Sequence, residues 1–95
     1  MAADWDVKIN SAVHKELRAL PEAAREEAFD LIQDLARDPF PPDLAIPLRR
    51  NNRVYRQYFG ADKFRLIYRV NHQHRTVEVF RARPRRTAYQ GLRNP

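Results

Sequence analysis

The arginines in the second half of the chain are the residues with the clearest chemistry. Residues 49–95 contain thirteen Lys or Arg against two Asp or Glu, a net charge of +11, and twelve of the thirteen cations are arginine. Residues 1–48 contain five Lys or Arg against ten Asp or Glu, a net charge of −5. A planar guanidinium donates two parallel hydrogen bonds to a phosphate and stacks on bases, which an ammonium does not. This segregation predicts a surface that holds a polyanion, and RNA is the polyanion that we expect.

Composition argues against several other kinds of site. The chain has no cysteine, which excludes disulfides, thiolate zinc sites and a cysteine nucleophile. His72 and His74 lie in a predicted turn, and Asp62 and Glu78 stand apart, so we expect neither a metal site nor paired catalytic carboxylates. No apolar run approaches the roughly 20 residues that cross a bilayer, and the acidic start lacks a signal pattern. We therefore expect a cytoplasmic protein that uses no cofactor and contacts no membrane.

The apolar pattern predicts the elements that must position the arginines. In chain order they are a strand at 5–9, helices at about 11–20 and 22–37, a proline-rich loop to 48, and strands at 53–59, 63–70 and 76–83. Asn10 or Ser11 is the expected cap of the first helix, and Pro21 separates the two helices. The order β-α-α-β-β-β predicts an α+β fold, a two-helix hairpin on one face of a mainly antiparallel sheet. Ninety-five residues suit one domain, 1–95.

Alternation within the strands predicts which side chains face away from the helices. In the strand 63–70 the apolar set must face the core, which sends Arg65 and Arg69 outward with Ile67 between them. That apolar set is Phe64, Leu66, Tyr68 and Val70. In the preceding strand Tyr55 and Phe59 are predicted to face the core, so Arg56 and Tyr58 should lie beside Arg65. The outward face thus predicts phosphate contacts beside stacking platforms for bases.

Two positions do not fit simple alternation. In the last strand Val77 and Val79 share one face, whereas Phe80 and Ala82 share the other. A β-bulge, which inserts one extra residue into a strand, would reconcile the two pairs. Gln57 falls on the core side, where a polar amide has no evident reason to be.

Several short motifs follow one another along the chain. They are Leu20-Pro21, the segment Leu35-Ala36-Arg37-Asp38-Pro39, Leu48-Arg49, Tyr55-Arg56, Phe64-Arg65-Leu66-Ile67-Tyr68, and Arg83-Pro84-Arg85-Arg86-Thr87-Ala88-Tyr89. In this order, over about residues 5–90, the sequence resembles the RelE/ParE superfamily of bacterial toxins. The resemblance implies a cytoplasmic toxin held by an antitoxin encoded beside it. The RelE branch of the superfamily cuts messenger RNA in the ribosomal A site, and the ParE branch poisons DNA gyrase.

Individual residues favour the RelE branch. RelE-type nucleases carry an arginine before the Leu-Ile/Val-Tyr of the middle strand, matched by Arg65, and a basic residue after the tyrosine of the preceding strand, matched by Arg56. They carry arginines after the last strand, matched by Arg83 and Arg85, and a tyrosine six residues beyond the first of these, matched by Tyr89. The resemblance therefore implies that these five residues are catalytic.

The chemistry that the resemblance implies needs no metal. The 2′-OH of RNA attacks the adjacent phosphate while positioned arginines stabilise its charge. Arg65 and Arg83 are expected to hold the phosphate, Arg56 to guide the strand, and Tyr89 to stack on a base or to move a proton, since arginine cannot act as a base. Tyr58 stands where the best-known RelE-type member has a lysine. The further residues expected to bind RNA are Arg53, Tyr58, Lys63, Arg69, Arg81 and Arg86.

Two other functions remain open at this point. A ParE-like chain would bind and poison gyrase without being a nuclease, and a third possibility is a non-catalytic RNA-binding member of the same fold. In either toxin branch the basic half should be covered, in a hetero-oligomer, by an acidic segment of the antitoxin. For a RelE-type nuclease the other partners would be messenger RNA and the ribosome.

Overall fold

A computed structural model describes residues 5–41, 45–47 and 53–91 of the chain. Its elements are β1 (Asp6–Ile9), α1 (Ser11–Ala19), α2 (Glu22–Leu35), β2 (Ile46–Pro47), β3 (Val54–Phe59), β4 (Phe64–Asn71), β5 (Thr76–Pro84) and α3 (Arg85–Ala88). The strands form one sheet in the order β1-β5-β4-β3-β2, in which β1 runs parallel to β5 and the other neighbours are antiparallel. The predicted α+β class is confirmed. β2 and α3 are additions that the sequence pattern did not predict, and the motif at Leu48-Arg49 lies outside the described residues.

The two long helices form the predicted hairpin. Asn10 caps α1, because its Oδ1 accepts a hydrogen bond from the backbone N–H of Ala12 at 3.1 Å. Arg25 of α2 then binds the end of α1, donating from Nε to the carbonyl of Leu17 at 3.2 Å and from Nη2 to that of Leu20 at 3.1 Å. The Leu17 carbonyl also accepts from the backbone N–H of Leu20 at 3.2 Å. Carbonyls at the end of a helix lack the regular intrahelical partners, so the arginine helps to cap α1 and fixes the hairpin.

One apolar core lies between the helices and the sheet face that they cover, which we call the inner face. Leu66, Tyr68 and Val70 of β4 are fully buried there, as alternation predicted. The buried members of the core are Trp5, Val13, Leu17, Leu20, Ala24, Ala28, Ile32, Leu35, Phe59, Leu66, Tyr68, Val70, Val77, Val79 and Ala82. The opposite side of the sheet is the outer face.

The predicted bulge is present in β5. Ile67 pairs with Arg81 and the next residue, Tyr68, pairs with Val79, so Phe80 is the extra residue. Beyond the bulge the alternation of β5 is inverted, so Ala82 joins Val79 in the core while Phe80 packs on the outer face. The inversion explains why the two halves of the strand disagreed in sequence.

Gln57 is on the inner face because it completes a buried series of hydrogen bonds. Its Nε2 donates to the hydroxyl of Tyr68 at 3.1 Å, and that hydroxyl donates to the carbonyl of Pro39 at 2.6 Å. Burial raises the pKa of Tyr68 to about 12, so the phenol stays neutral and keeps its proton for Pro39. This series of hydrogen bonds joins the segment that follows α2 to the middle of the sheet.

Replacing Tyr68 tests how much this series of buried hydrogen bonds stabilises the fold. We expect Tyr68→Phe to lower the free energy of unfolding by about 1–3 kcal/mol, because the buried groups of Pro39 and Gln57 lose their partner. Urea denaturation at neutral pH measures the change. Tyr55→Phe is the matched control: its ring stacks on Tyr68 with centroids 5.9 Å apart, and its hydroxyl makes no hydrogen bond among the described residues. A loss as large in Tyr55→Phe would contradict the assignment.

Candidate functional site

The strand register brings the candidate residues onto the outer face. Tyr58 of β3 lies opposite Arg65 of β4, which in turn lies opposite Arg83 of β5. One step further along, Arg56 and Arg81 flank Ile67 in the same way. Residues directly opposite one another in antiparallel strands share a face. The predicted outward direction of Arg56, Tyr58 and Arg65 is therefore observed.

The outer face is not the open surface that alternation suggested. α3 lies across it, and Ala88 and Tyr89 pack against Val54, Ile67 and Phe80 in a second apolar cluster. Ile67, which was expected to lie between exposed arginines, is fully buried. The sequence interpretation was wrong here because the short helix that follows β5 folds back over the sheet. The candidate site is consequently a partly covered region of the outer face beside α3, where charges are less well solvated.

Arg65 is a buried cation in this region of the outer face. It is only 7% exposed. Its Nη1 donates to the carbonyls of Asp62 at 2.8 Å and Phe64 at 3.1 Å, and the Tyr58 ring centroid lies 3.8 Å from its Cζ. Its Nε has no hydrogen-bond partner, and no Asp or Glu of the described residues pairs with it. A guanidinium held in this way, without a counter-ion, favours the binding of an anion.

The carbonyl that anchors Arg65 is supplied by an unusual turn. Gly60, Ala61 and Asp62 all adopt left-handed backbone conformations, with φ of 62°, 55° and 67°. Such conformations are unfavourable for residues other than glycine and persist where their surroundings enforce them. Glu27 of α2 supports the turn, since its Oε1 accepts from the Gly60 N–H at 3.0 Å. The turn therefore helps to hold the guanidinium in place.

Arg56 and Tyr89 form the second half of the site. Arg56 Nη1 donates to the Tyr89 hydroxyl at 2.9 Å, and its Cζ lies 5.5 Å from the ring centroids of both Tyr58 and Tyr89. Its Nε, like that of Arg65, is buried and without a partner. We call Arg56, Tyr58, Arg65 and Tyr89 the Arg–Tyr cluster. Tyr58 is 38% exposed. Part of its ring is therefore accessible to solvent next to the two guanidinium groups.

Arg81 and Arg83 are engaged in other contacts. Arg81 Nη1 donates to the carbonyls of Ala88 at 2.9 Å and Gln90 at 2.6 Å, so it binds the end of α3. Burial, followed by the nearby charge of Arg83, lowers the pKa of Arg81. Arg83 donates from Nε to Glu16 Oε2 at 2.6 Å and from Nη1 to the Thr87 carbonyl at 3.3 Å. Neither guanidinium contacts the Arg–Tyr cluster.

The remaining candidates surround the cluster on the surface. Arg53, Lys63, Arg85 and Arg86 are exposed. Arg69 is also exposed and lies 4.0 Å from a carboxylate oxygen of Glu78, with its Cζ 5.5 Å from the Phe80 ring. Sequence reasoning missed Glu16, which binds Arg83 and sits two turns into α1 among residues of the apolar stripe. No local pattern marks it, since its partner is 67 positions away.

Neither a cluster of metal ligands nor a membrane-spanning helix is found in the described parts of the chain. No group of three or more His, Cys, Asp or Glu side chains there could hold a metal ion. His72 instead stacks on Phe40, with ring centroids 5.2 Å apart and planes at 6°, and meets Trp5 edge-on. None of the helices between residues 5 and 91 is long and apolar enough to cross a membrane.

The fold matches solved structures of RelE toxins. The chain is similar to a protein in the archaeal RelE–RelB complex from Pyrococcus horikoshii, at 25% identity and a TM-score of 0.71 over 86% of this chain and 96% of that one. It is similar to a protein in the toxin–antitoxin complex RelBE2 from Mycobacterium tuberculosis, at 26% identity and a TM-score of 0.70 over 86% and 99%. The isolated E. coli RelE toxin shares 18% identity and a TM-score of 0.70 over 84% and 83%.

Sequence comparison adds no relative to these structural ones. No protein-family model matches the chain, and no curated protein matches it significantly. The three-dimensional matches nevertheless confirm the RelE-like fold that the sequence motifs indicated.

The unpaired cations predict a response to small anions. We expect inorganic pyrophosphate at ten times its dissociation constant to stabilise the protein by about 1.4 kcal/mol, and so to raise its thermal midpoint by roughly 5–10 °C. Arg65→Met should lose most of this increase, yet be at least as stable without the anion, because an apolar chain replaces a buried charge. Thermal unfolding with and without pyrophosphate, at constant ionic strength, measures both effects.

Arg25→Met is the control, because Arg25 also binds two carbonyls but lies on the helical side of the sheet. It should keep the full increase in midpoint. An undiminished increase in Arg65→Met would contradict an anion site at the Arg–Tyr cluster.

Proposed function

We propose that this RelE-like chain is the toxin of a type II toxin–antitoxin pair, and that it cleaves messenger RNA on the ribosome without a metal ion. The observation that carries the proposal is the Arg–Tyr cluster. It joins the buried guanidinium of Arg65 and the partly buried one of Arg56, each with an Nε–H that has no partner, to the accessible ring of Tyr58. Phosphate contacts and base stacking are the two elements by which proteins hold single-stranded RNA.

The reaction follows from what the cluster contains. The 2′-OH of the substrate attacks the neighbouring phosphorus, the bond from phosphorus to the 5′ oxygen breaks, and the products are a 2′,3′-cyclic phosphate and a 5′-hydroxyl. Negative charge on the phosphate oxygens rises during attack, so donors fixed in advance lower the barrier. Arg65 suits this role because its carbonyl contacts and the Tyr58 ring hold its guanidinium in position. DNA lacks the attacking hydroxyl and should not be cut.

Proton transfer is assigned to Tyr89. Its hydroxyl accepts a hydrogen bond from Arg56 Nη1 at 2.9 Å, which leaves its own proton available for the departing 5′ oxygen. Arg56 and Arg65 remain charged throughout and cannot supply it. Arg56 thus orients the tyrosine and also adds positive charge beside the scissile phosphate. The group that receives the 2′-OH proton would be supplied by the ribosome or by the RNA, since the cluster contains no carboxylate or histidine.

The proposed partners follow from the fold and the charge. The matched proteins from Pyrococcus horikoshii and Mycobacterium tuberculosis were solved as toxin–antitoxin complexes. For this chain we infer an antitoxin whose acidic segment covers the +11 half of the molecule in a hetero-oligomer. Exposed Arg53, Lys63, Arg85 and Arg86 would contact that segment or, after its release, the RNA backbone. The cytoplasm, which contains messenger RNA and ribosomes, is the matching compartment.

Arg65 should be required for cleavage. In a translation reaction with purified protein, we expect messenger RNA ends to appear at defined positions, and Arg65→Met to produce them at least ~100-fold more slowly. Primer extension maps and counts the ends. Arg37→Ala removes an exposed arginine that pairs with Asp34 on the helical side, and this variant should cleave like the natural chain. Intact messenger RNA together with gyrase-linked DNA breaks would instead identify a ParE-like poison.

Tyr89→Phe separates proton transfer from stacking. The variant keeps the ring and loses the hydroxyl, so we expect cleavage to slow by ~100-fold or more while the concentration of ribosomes giving half-maximal rate is little changed. Time courses at several ribosome concentrations give both quantities. Tyr55→Phe, which removes a phenol hydroxyl outside the site, is the control and should cleave normally. A full rate in Tyr89→Phe would reduce the role of Tyr89 to stacking.

A further inference from the structure

Glu16 of α1 reaches β5 at a place where, among the described residues, no strand pairs with the side of β5 that faces away from β4. The parallel pairing of β1 with β5 ends at Ile9, opposite Val79. Beyond it, Glu16 Oε1 accepts from the backbone N–H of Ala82 at 2.8 Å, and Oε2 accepts from Arg83 Nε at 2.6 Å. The Glu16 side chain is only 16% exposed. One carboxylate thus occupies a backbone donor and a guanidinium donor at the same time.

The two donors form a receptor for an oxyanion. A backbone N–H beside an arginine N–H is the arrangement with which proteins bind carboxylate and phosphate oxygens alike. Here the oxyanion belongs to the chain itself. A cavity of about 360 Å³ lies against the pair, and Arg83 is 31% exposed, so a phosphate can approach.

The pairing also decides where Arg83 points. Its Cα lies opposite that of Arg65 on β4, which starts its side chain on the outer face next to the Arg–Tyr cluster. Its guanidinium instead bonds to Glu16 and to the Thr87 carbonyl, at the sheet edge. While the pair is closed, the charge of Arg83 is neutralised and turned away from the cluster.

We propose that Glu16 limits the affinity of this protein for RNA by competing with the RNA phosphate for Arg83. The inference rests on the proposed function, in which the outer face holds RNA. Glu16 acts through Arg83: when a phosphate replaces the carboxylate, one more cation joins the site. Removing the carboxylate therefore strengthens RNA binding by more than the loss of one negative charge would.

The chain provides a matched control in Glu27. Its Oε1 also accepts from the backbone N–H of Gly60, just after a strand, at 3.0 Å, but it pairs with no arginine in the described part of the chain. Glu27→Gln and Glu16→Gln change the net charge equally, and glutamine keeps a carbonyl oxygen for the backbone N–H in both. Only Glu16→Gln releases an arginine. The difference between the two variants thus isolates the Arg83 contact.

The test measures binding of a short single-stranded oligoribonucleotide whose 2′ oxygens are methylated, so that it cannot be cleaved. Fluorescence anisotropy over a range of KCl concentrations gives the dissociation constant and its salt dependence. We expect Glu16→Gln to bind ~3–10-fold more tightly than Glu27→Gln at low salt. The slope of log K against log salt should steepen by ~0.7, the value of one added phosphate contact on a single strand.

An Arg83→Ala background establishes that the effect passes through Arg83. In that background Glu16→Gln and Glu27→Gln should bind equally, because no guanidinium is left to release. Equal binding of the two variants in the natural background, or a persistent difference in the Arg83→Ala background, would overturn the inference while leaving RNA binding itself intact.

Inorganic polyphosphate, which has phosphates but neither bases nor ribose, separates this inference from the proposed function. Tighter polyphosphate binding by Glu16→Gln than by Glu27→Gln, with no RNA binding by any variant, would support the competition for Arg83 and contradict the RNA-directed function. No advantage of Glu16→Gln with either polyanion would overturn the competition.

Discussion

The packing of Ala88 on Ile67 is the contact on which the candidate site depends. It holds α3 against the outer face of the sheet, and both residues are fully buried by it. Without that contact the outer face would lose part of its cover, and Tyr89 would be positioned less firmly by the hydrogen bonds that Arg56 and Arg81 make. With it, the buried guanidinium of Arg65 and the partly buried one of Arg56 lie where their charge is less screened. A small apolar contact therefore influences how strongly the arginines of the site attract an anion.

The site is built at some cost to stability. Buried cations without counter-ions are unfavourable in the free protein, and the fold compensates with carbonyl contacts and with the aromatic ring of Tyr58. The inner face shows the opposite arrangement, in which Gln57 donates to the Tyr68 hydroxyl and that hydroxyl donates to the Pro39 carbonyl. One face of the sheet is thus arranged for stability. The other keeps hydrogen-bonding capacity unused, which is what a binding site requires.

Much of the fold could be predicted because its determinants are local. Helical spacing, the Asn10 cap and the alternation in β4 each depend on neighbouring residues, and the conflict within β5 was enough to predict its bulge. α3 was missed because four residues after Pro84, two of them arginines, carry no amphipathic pattern. The motifs could select Arg56, Arg65 and Tyr89, and strand alternation placed Tyr58 beside them, but neither could predict how far these residues are buried. Glu16 and Arg83 lie far apart in the sequence. They can pair because β1 ends at Ile9, before it reaches this part of β5.

The extra residue in β5 has a consequence for how this sheet can change by mutation. In an unbroken strand every second residue from Val77 onward would share one face, so Arg81 and Arg83 would enter the core and Ala82 would leave it. The single insertion at Phe80 reverses the order halfway along. Both halves of β5 can then place apolar residues in the core and charged residues on the outer face. Straightening the strand without removing a residue would turn Arg81 and Arg83 into the core, so the bulge is constrained together with the sequence around it.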